Sequence, residues 1–200
     1  NYEPFARENV VIIRLSEEYV LRRFANGPFN HAVAMCLEKV IDDCVIKWGI
    51  DVIEATDYLS PALSYFQKVQ AKPGGKANLC VTYGHGFTQD VYEASRMYSS
   101  AMRMDDMVGE RQQCRVSDLV IVPSEHAKNN LRSYGIAKNL HVLREPYEFM
   151  INKNITSTSN SIVHIGRVSI AKGVDRLLYA ANIMADYVHV EKILFIGAVS

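Results

Sequence analysis

Apolar residues fall into two alternating kinds of block. Residues 10–15 (VVIIRL), 51–55 (DVIEA), 77–83 (ANLCVTY), 119–122 (LVIV), 139–143 (NLHVL), 162–165 (IVHI) and 192–197 (KILFIG) are short runs rich in β-branched residues. Such runs predict strands, mostly buried ones. Between them apolar residues recur three and four apart. The clearest case is residues 31–48, where Val33, Leu37, Val40, Ile41, Cys44, Val45 and Trp48 share one helical face. Asn30 is placed to cap that helix and Gly49 to end it, while His31 is an exposed first-turn residue. Further helices are predicted from Pro61 to about residue 71, from Gln89 to about residue 116 with a break at Gly109, from Glu125 to Gly135, and from Val174 through Met184. Strands alternating with helices predict an α/β fold with parallel sheets and right-handed crossovers.

The alternation is interrupted once. Residues 152–160 (NKNITSTSN) are polar and read as a linker. This divides the chain into a domain over 1–150, a linker over 151–160, and the opening β-α-β of a second domain over 161–200. Three elements cannot cover both faces of a sheet, so the second part is expected to pack poorly or to lean on the first. Asn154–Ile155–Thr156 fits a glycosylation sequon, which is discounted because nothing else points to secretion.

Composition narrows the class. The chain has 200 residues, 22 basic and 22 acidic, and 48% apolar content, the profile of an ordinary globular protein. Zero net charge gives no electrostatic case for nucleic acid. No apolar run reaches spanning length, and no signal peptide is visible in a chain that begins at Asn1. Cys36, Cys44, Cys80 and Cys114 are scattered without metal-binding spacing and read as free thiols of a cytoplasmic protein. No metal site is expected.

The candidate chemistry lies where strands end. After residues 162–165 the chain breaks at Gly166–Arg167, passes a short loop to Lys172–Gly173, and enters a helix. A helix N-terminus offers unpaired N–H groups and partial positive charge, and two cations bracket this one. Arg167, Lys172, Gly166 and Gly173 therefore form a candidate phosphate or diphosphate site; the alternative is two solvated charges. Neither the P-loop pattern nor the G-x-G-x-x-G dinucleotide turn is present. Asp57 and Gly84–His85–Gly86 also follow strand ends, the edge at which open α/β sheets bind ligands. Asp57 is either a helix cap or a site residue. His85 is either a solvated turn residue or an exposed imidazole beside a backbone that ligands can approach. Ser124 is a helix cap that also falls on this edge. Tyr92, Tyr98, Met102, Met104 and Met107 read as core packing, with an acceptor-binding wall as the alternative. Arg96, Arg103, Arg111 and Arg115 read as a solvated helical face, with an anionic lipid or acceptor as the alternative.

Two stretches carry a resemblance. IVHIGRVSIAKGVDRLLYAA resembles the start of the C-terminal domain of glycosyltransferase family 4, the retaining, nucleotide-sugar-dependent enzymes of GT-B fold. The second stretch combines Glu110, Asp118, the run 119–122, Ser124 and a helix ending in Tyr134–Gly135, and is similar to the family's first domain. The resemblance implies an α/β fold of GT-B type, with a Rossmann-like acceptor-side domain followed by a donor-binding one. It implies transfer of a sugar from a nucleoside diphosphate sugar to an acceptor hydroxyl with retention of configuration. In the family the Arg and Lys matching Arg167 and Lys172 bind the donor diphosphate, and an aromatic-His-Gly segment matching His85 lines the acceptor side. His85 is carried as the catalytic residue, and Asp57, Gly84, Gly86 and Ser124 as acceptor-side or cleft residues.

No cofactor or metal is implied. The partners expected are the nucleotide-sugar donor and a glycan, lipid-linked or small-molecule acceptor, with peripheral membrane association left open. The family's first strand, its glycine-rich loop and its E-x7-E segment have no match here, so the chain is expected to be an internal piece of a longer enzyme and inactive on its own. Glu145–Pro146 stands where many relatives have Asn-Gly. That departure keeps a second reading open, a catalytically silent GT-B-like partner subunit that binds nucleotide or glycan. A dehydrogenase-type nucleotide site is a third reading that lacks its glycine fingerprint.

Overall fold

The structure is a computed structural model that describes residues 5–7, 10–16, 18, 29–72, 78–94, 101–144, 160–187 and 189–198. Its elements are β1 (Phe5–Arg7), β2 (Val10–Ile12), α1 (Phe29–Trp48), β3 (Val52–Thr56), α2 (Leu63–Gln70), β4 (Leu79–Tyr83), α3 (Thr88–Ala94), α4 (Ala101–Val116), β5 (Leu119–Val122), α5 (Glu125–Ser133), β6 (Leu140–Val142), β7 (Ser161–Ile165), a 3-10 turn (Ile170–Lys172), α6 (Val174–Met184) and β8 (Lys192–Ile196). The chain divides into two compact units, residues 1–88 with 100–144 and residues 89–99 with 145–200. The expected linker, the Asn154 sequon and Glu145–Pro146 lie outside the described residues.

The first unit is an α/β unit of Rossmann-like topology, a parallel four-stranded sheet ordered β3-β4-β5-β6 and flanked by helices. All C-terminal strand ends therefore lie on one edge. The core forms two main clusters. One gathers Ile53, Ala62, Tyr65, Phe66, Val69 and Cys80; the other gathers Phe87, Cys114, Val120, Val122, Leu131, Ile136 and Leu140. Phe66 is fully buried, and a large aromatic lost from such a place costs about 3–5 kcal/mol. Helix α1 packs on α2, and Lys68 bridges them through Glu38 and Asp42.

Three expectations are corrected here. Residues 10–15 do not form a buried parallel strand. Val10–Ile12 pairs antiparallel with Phe5–Arg7, and Ile12 is half exposed. Apolar run length alone does not choose between a sheet interior and a hairpin. Gly109 does not break a helix either, because α4 runs through it. A Cβ there would stand 2.5 Å from Ser60 Oγ, so its missing side chain serves close packing. Met104 is 55% exposed and is not core; Tyr98, Arg96 and the side chains of Met102 and Arg103 lie outside the described residues.

The second unit carries a two-stranded parallel sheet, β7 beside β8, joined by the 3-10 turn and α6. None of its described residues from 160 to 198 is buried, and Val163, Ile165, Leu194 and Ile196 are all well exposed. Among the described residues from 160 to 198, two strands and one helix leave both sheet faces short of cover. Cys36, Cys80 and Cys114 are buried, Cys44 is half-buried, and all four are free thiols. No described helix is long and apolar enough to cross a membrane.

Candidate functional site

The strand-edge residues of the first unit are organised by buried polar groups. Asp57 directly follows β3 and is fully buried. It caps no helix, since the residue preceding α2 is Ala62. Instead, its Oδ1 accepts the His85 amide at 3.2 Å and its Oδ2 the Gly86 amide at 3.4 Å. A carboxylate out of water requires donors around it. The loop after β4 supplies two, and the result is a fixed path for Gly84–Gly86. The His85 side chain is exposed, its ring 4.5 Å from that of Tyr83. Gly84 serves packing, since a Cβ there would meet the Phe87 ring at 3.2 Å and Val122 at 3.3 Å. At Gly86 an added Cβ meets nothing within 4 Å, so the backbone there is open to a ligand.

Ser124 follows β5 on the same edge and caps α5 by accepting the Ala127 amide at 3.2 Å. The structure thus brings Asp57, Gly84, His85 and Gly86 together and sets Ser124 one strand further along. Asp118, the other acidic residue of that motif, is structural: its Oδ2 accepts the Cys80 amide at 2.8 Å, tying β4 to the start of β5. Arg111 stacks on the Tyr134 ring at 4.3 Å and Arg115 donates to the Tyr134 carbonyl at 3.1 Å, so both are committed to the end of α5.

Sequence reasoning missed the roles on α4. Glu110 is 1% exposed. Its carboxylate accepts the Thr88 amide at 2.9 Å and the Thr88 hydroxyl. Gln113 is fully buried; it accepts the Ala62 amide at 2.9 Å and donates to the Thr56 carbonyl at 2.8 Å and the Thr82 hydroxyl at 3.3 Å. Thr82 and Ser117 hydroxyls meet at 2.7 Å. The available signal was spacing. Glu110 and Gln113 stand three apart, hence on one face, of a helix that must cover a sheet.

Burial pushes the Glu110 carboxyl up to about 7, opposed by the Thr88 hydrogen bonds and reinforced by the nearby Asp57 charge. Burial also raises the Cys114 thiol, making it inert as a nucleophile. The Glu110 shift fixes the sign of a pH effect. Between its ordinary value of 4.5 and about 7, the folded chain binds a proton that the unfolded chain has lost. The stabilisation is complete below 4.5 and is lost as pH rises towards 7, amounting to roughly 3 kcal/mol. Denaturant titrations at pH 5 and pH 8 should show it, and Glu110→Gln should flatten the difference. A wild-type profile without such a fall would mean that Glu110 is ionised throughout.

The other candidate site is in the second unit. The Gly166 amide donates to the Ile196 carbonyl at 2.9 Å and the Val168 amide to the Ala198 carbonyl at 2.8 Å. The parallel ladder thereby extends past β7 and holds Arg167 between two anchored residues. The 3-10 turn follows, with Lys172 in its last position, and Gly173 at φ +76° turns the chain into α6. That left-handed conformation suits glycine. Arg167 and Lys172 are both exposed, and neither has an ion-pair partner among the described residues. One turn thus gathers two cations, two glycines and a helix start. Asp175 in the first turn of α6 already complements the helix end, so an incoming anion depends chiefly on the two side-chain charges.

Among the described residues no three or more His, Cys, Asp and Glu side chains are grouped as a metal site. No protein-family model matches the chain, and neither does any curated protein sequence.

Proposed function

We propose that the chain belongs to a retaining glycosyltransferase of GT-B type, which moves a sugar from a nucleoside diphosphate sugar to an acceptor hydroxyl. The observation that carries this reading is the turn from Gly166 to Gly173. Its two cations stand at a helix start on a ladder-anchored backbone, as diphosphate recognition requires. The likeness of the two quoted motifs to glycosyltransferase family 4 supports it, as does a parallel α/β unit with His85 at a strand edge. In this reading the first unit serves the acceptor and the second the donor.

During transfer the bond between the anomeric carbon and the diphosphate oxygen breaks, and its electron pair leaves with the diphosphate. The acceptor oxygen forms the new bond and gives up its proton to the departing diphosphate. Negative charge grows on the leaving group, where Arg167 and Lys172 stabilise it most in the transition state. Arg offers a planar fork and Lys a point charge, so the two contribute differently. His85 orients the acceptor or the reacting sugar by hydrogen bonding. The reaction is proposed to occur in the cytoplasm with no metal or cofactor, on a glycan, lipid-linked or small-molecule acceptor, with peripheral membrane association if the acceptor is a lipid.

The test is a panel of nucleoside diphosphate sugars given to the full-length enzyme and scored for release of nucleoside diphosphate, with the product's anomeric configuration read by NMR. Release from one donor with retention supports the reading; inversion or silence across the panel with acceptors present overturns it. His85→Ala should lower turnover by on the order of 10–100-fold, the size of a lost positioning or proton-transfer group, with the fold intact. Unchanged kinetics would reduce His85 to a loop residue.

A further inference from the structure

The His85 loop does not hold itself. Its first half is bound through Asp57, whose two oxygens take the amides of His85 and Gly86. Its far end is bound through Thr88, whose amide and hydroxyl both go to Glu110. The Leu59 amide, in the turn that starts at Asp57, favours the charged form of the Glu110 carboxyl. That turn is strained: Leu59 and Ser60 have φ of 62° and 45°, a region non-glycine residues seldom adopt. Strain of this kind persists only where the surroundings over-determine it. Here the fixing groups are the Asp57 carbonyl, which accepts the Ser60 amide at 2.9 Å, and the close approach of Gly109 to Ser60.

We propose that Glu110 is a positioning residue, whose buried carboxylate fixes Thr88 at the far end of the Gly84–Thr88 loop and so sets where the His85 imidazole stands at the strand edge. It acts through Thr88, while its neighbour Gly109 packs against Ser60 in the Asp57–Ser60 turn. Gln113, one turn along α4, ties the same helix to the ends of β3 and β4 through Thr56 and Thr82. The helix thus supplies a rigid back to a site whose working group is on a loop.

A purely structural role predicts a different outcome from a positioning role. Burying a carboxylate with a raised proton affinity is unfavourable for stability at neutral pH, and a neutral isostere relieves that cost. Glu110→Gln therefore keeps or gains stability at pH 8 while replacing one acceptor oxygen by a donor. If Glu110 only held the fold together, such a variant would work as well as wild type.

The proposal rests on the reading of His85 as an acceptor-side group, and its experiment has two arms so that the two ideas can fail separately. The first arm needs no substrate. Amide and imidazole resonances of wild type, Glu110→Gln and Thr88→Val are compared by NMR on the full chain. Displacement of His85 and Gly86 signals in both variants, larger in Glu110→Gln, is expected; changes confined to Thr88, Leu59 and their immediate neighbours overturn the proposal. The second arm is kinetic. Glu110→Gln should lose turnover on the order of 10–100-fold, the penalty of a catalytic group moved by about an ångström, with donor KM unchanged. Wild-type turnover in a folded Glu110→Gln variant overturns the positioning role. A full-length wild-type enzyme that transfers no sugar overturns the proposed function instead, and the NMR arm then decides the role of Glu110.

Discussion

Replacing Arg167 or Lys172 by alanine should lower turnover by about 2–4 kcal/mol in activation free energy, the loss found when one oxyanion donor is removed. The effect should fall on turnover more than on donor KM, because the charge being stabilised is fully developed only as the diphosphate leaves. Both side chains are exposed, so neither variant removes packing, and melting temperature should hardly move. Arg167→Lys should recover little, since a bidentate fork is replaced by a point charge. The double variant should fall short of the sum of the single losses, because both cations serve one group. Kinetics with a nucleotide-sugar donor check all three expectations, and two alanine variants with wild-type turnover would remove the diphosphate site from the account.

Gly197→Ala should destabilise the second unit by roughly 2–5 kcal/mol, combining overpacking with a disallowed backbone conformation. Gly197 has φ +152°, and a Cβ there would stand 1.9 Å from the Gly166 carbonyl oxygen and 2.6 Å from its carbon. Those atoms are backbone and cannot rotate away. Relief requires the end of β8 to part from the turn that carries Arg167, breaking the Gly166–Ile196 and Val168–Ala198 hydrogen bonds. Amide exchange across residues 161–198 should rise, and affinity for nucleoside diphosphate should fall with it. Gly173→Asn makes a useful contrast. Its position is left-handed but open, with nothing within 4 Å of an added Cβ, and Asn tolerates that conformation. A Gly197→Ala variant with wild-type exchange and binding would show that the two backbones separate without consequence.

Much of the fold was legible because its signals are local. Ser124 and Gly135 bracket a helix in the sequence, and α5 fills the space between them with Ser124 as its cap. The runs at 119–122 and 162–165 became strands close to their expected bounds. Legibility failed where partners are distant in the chain. Residues 10–15 have the composition of a buried strand, but burial depends on which segment lies alongside, and here that is Phe5–Arg7. Gly109 looked like a helix break because its reason for being glycine, Ser60, lies far away in sequence. The same holds at the site. His85 and Asp57 were visible as strand-end residues, whereas the hydrogen bonds joining them span 28 and 29 positions. Glu110 stood out only as part of a family-like motif and Gln113 looked like a polar residue on an ordinary helix; only the fold turns both inward.

The most direct test of the central claim is an amide NMR titration of the full chain with uridine, guanosine and adenosine diphosphates in turn. The account predicts that one of them shifts the amides from Gly166 to Asp175 in a saturable way, and that the shifts vanish in the Arg167→Ala, Lys172→Ala double variant. Saturable shifts that leave this turn untouched, or no saturation with any of the three at millimolar ligand, would contradict it.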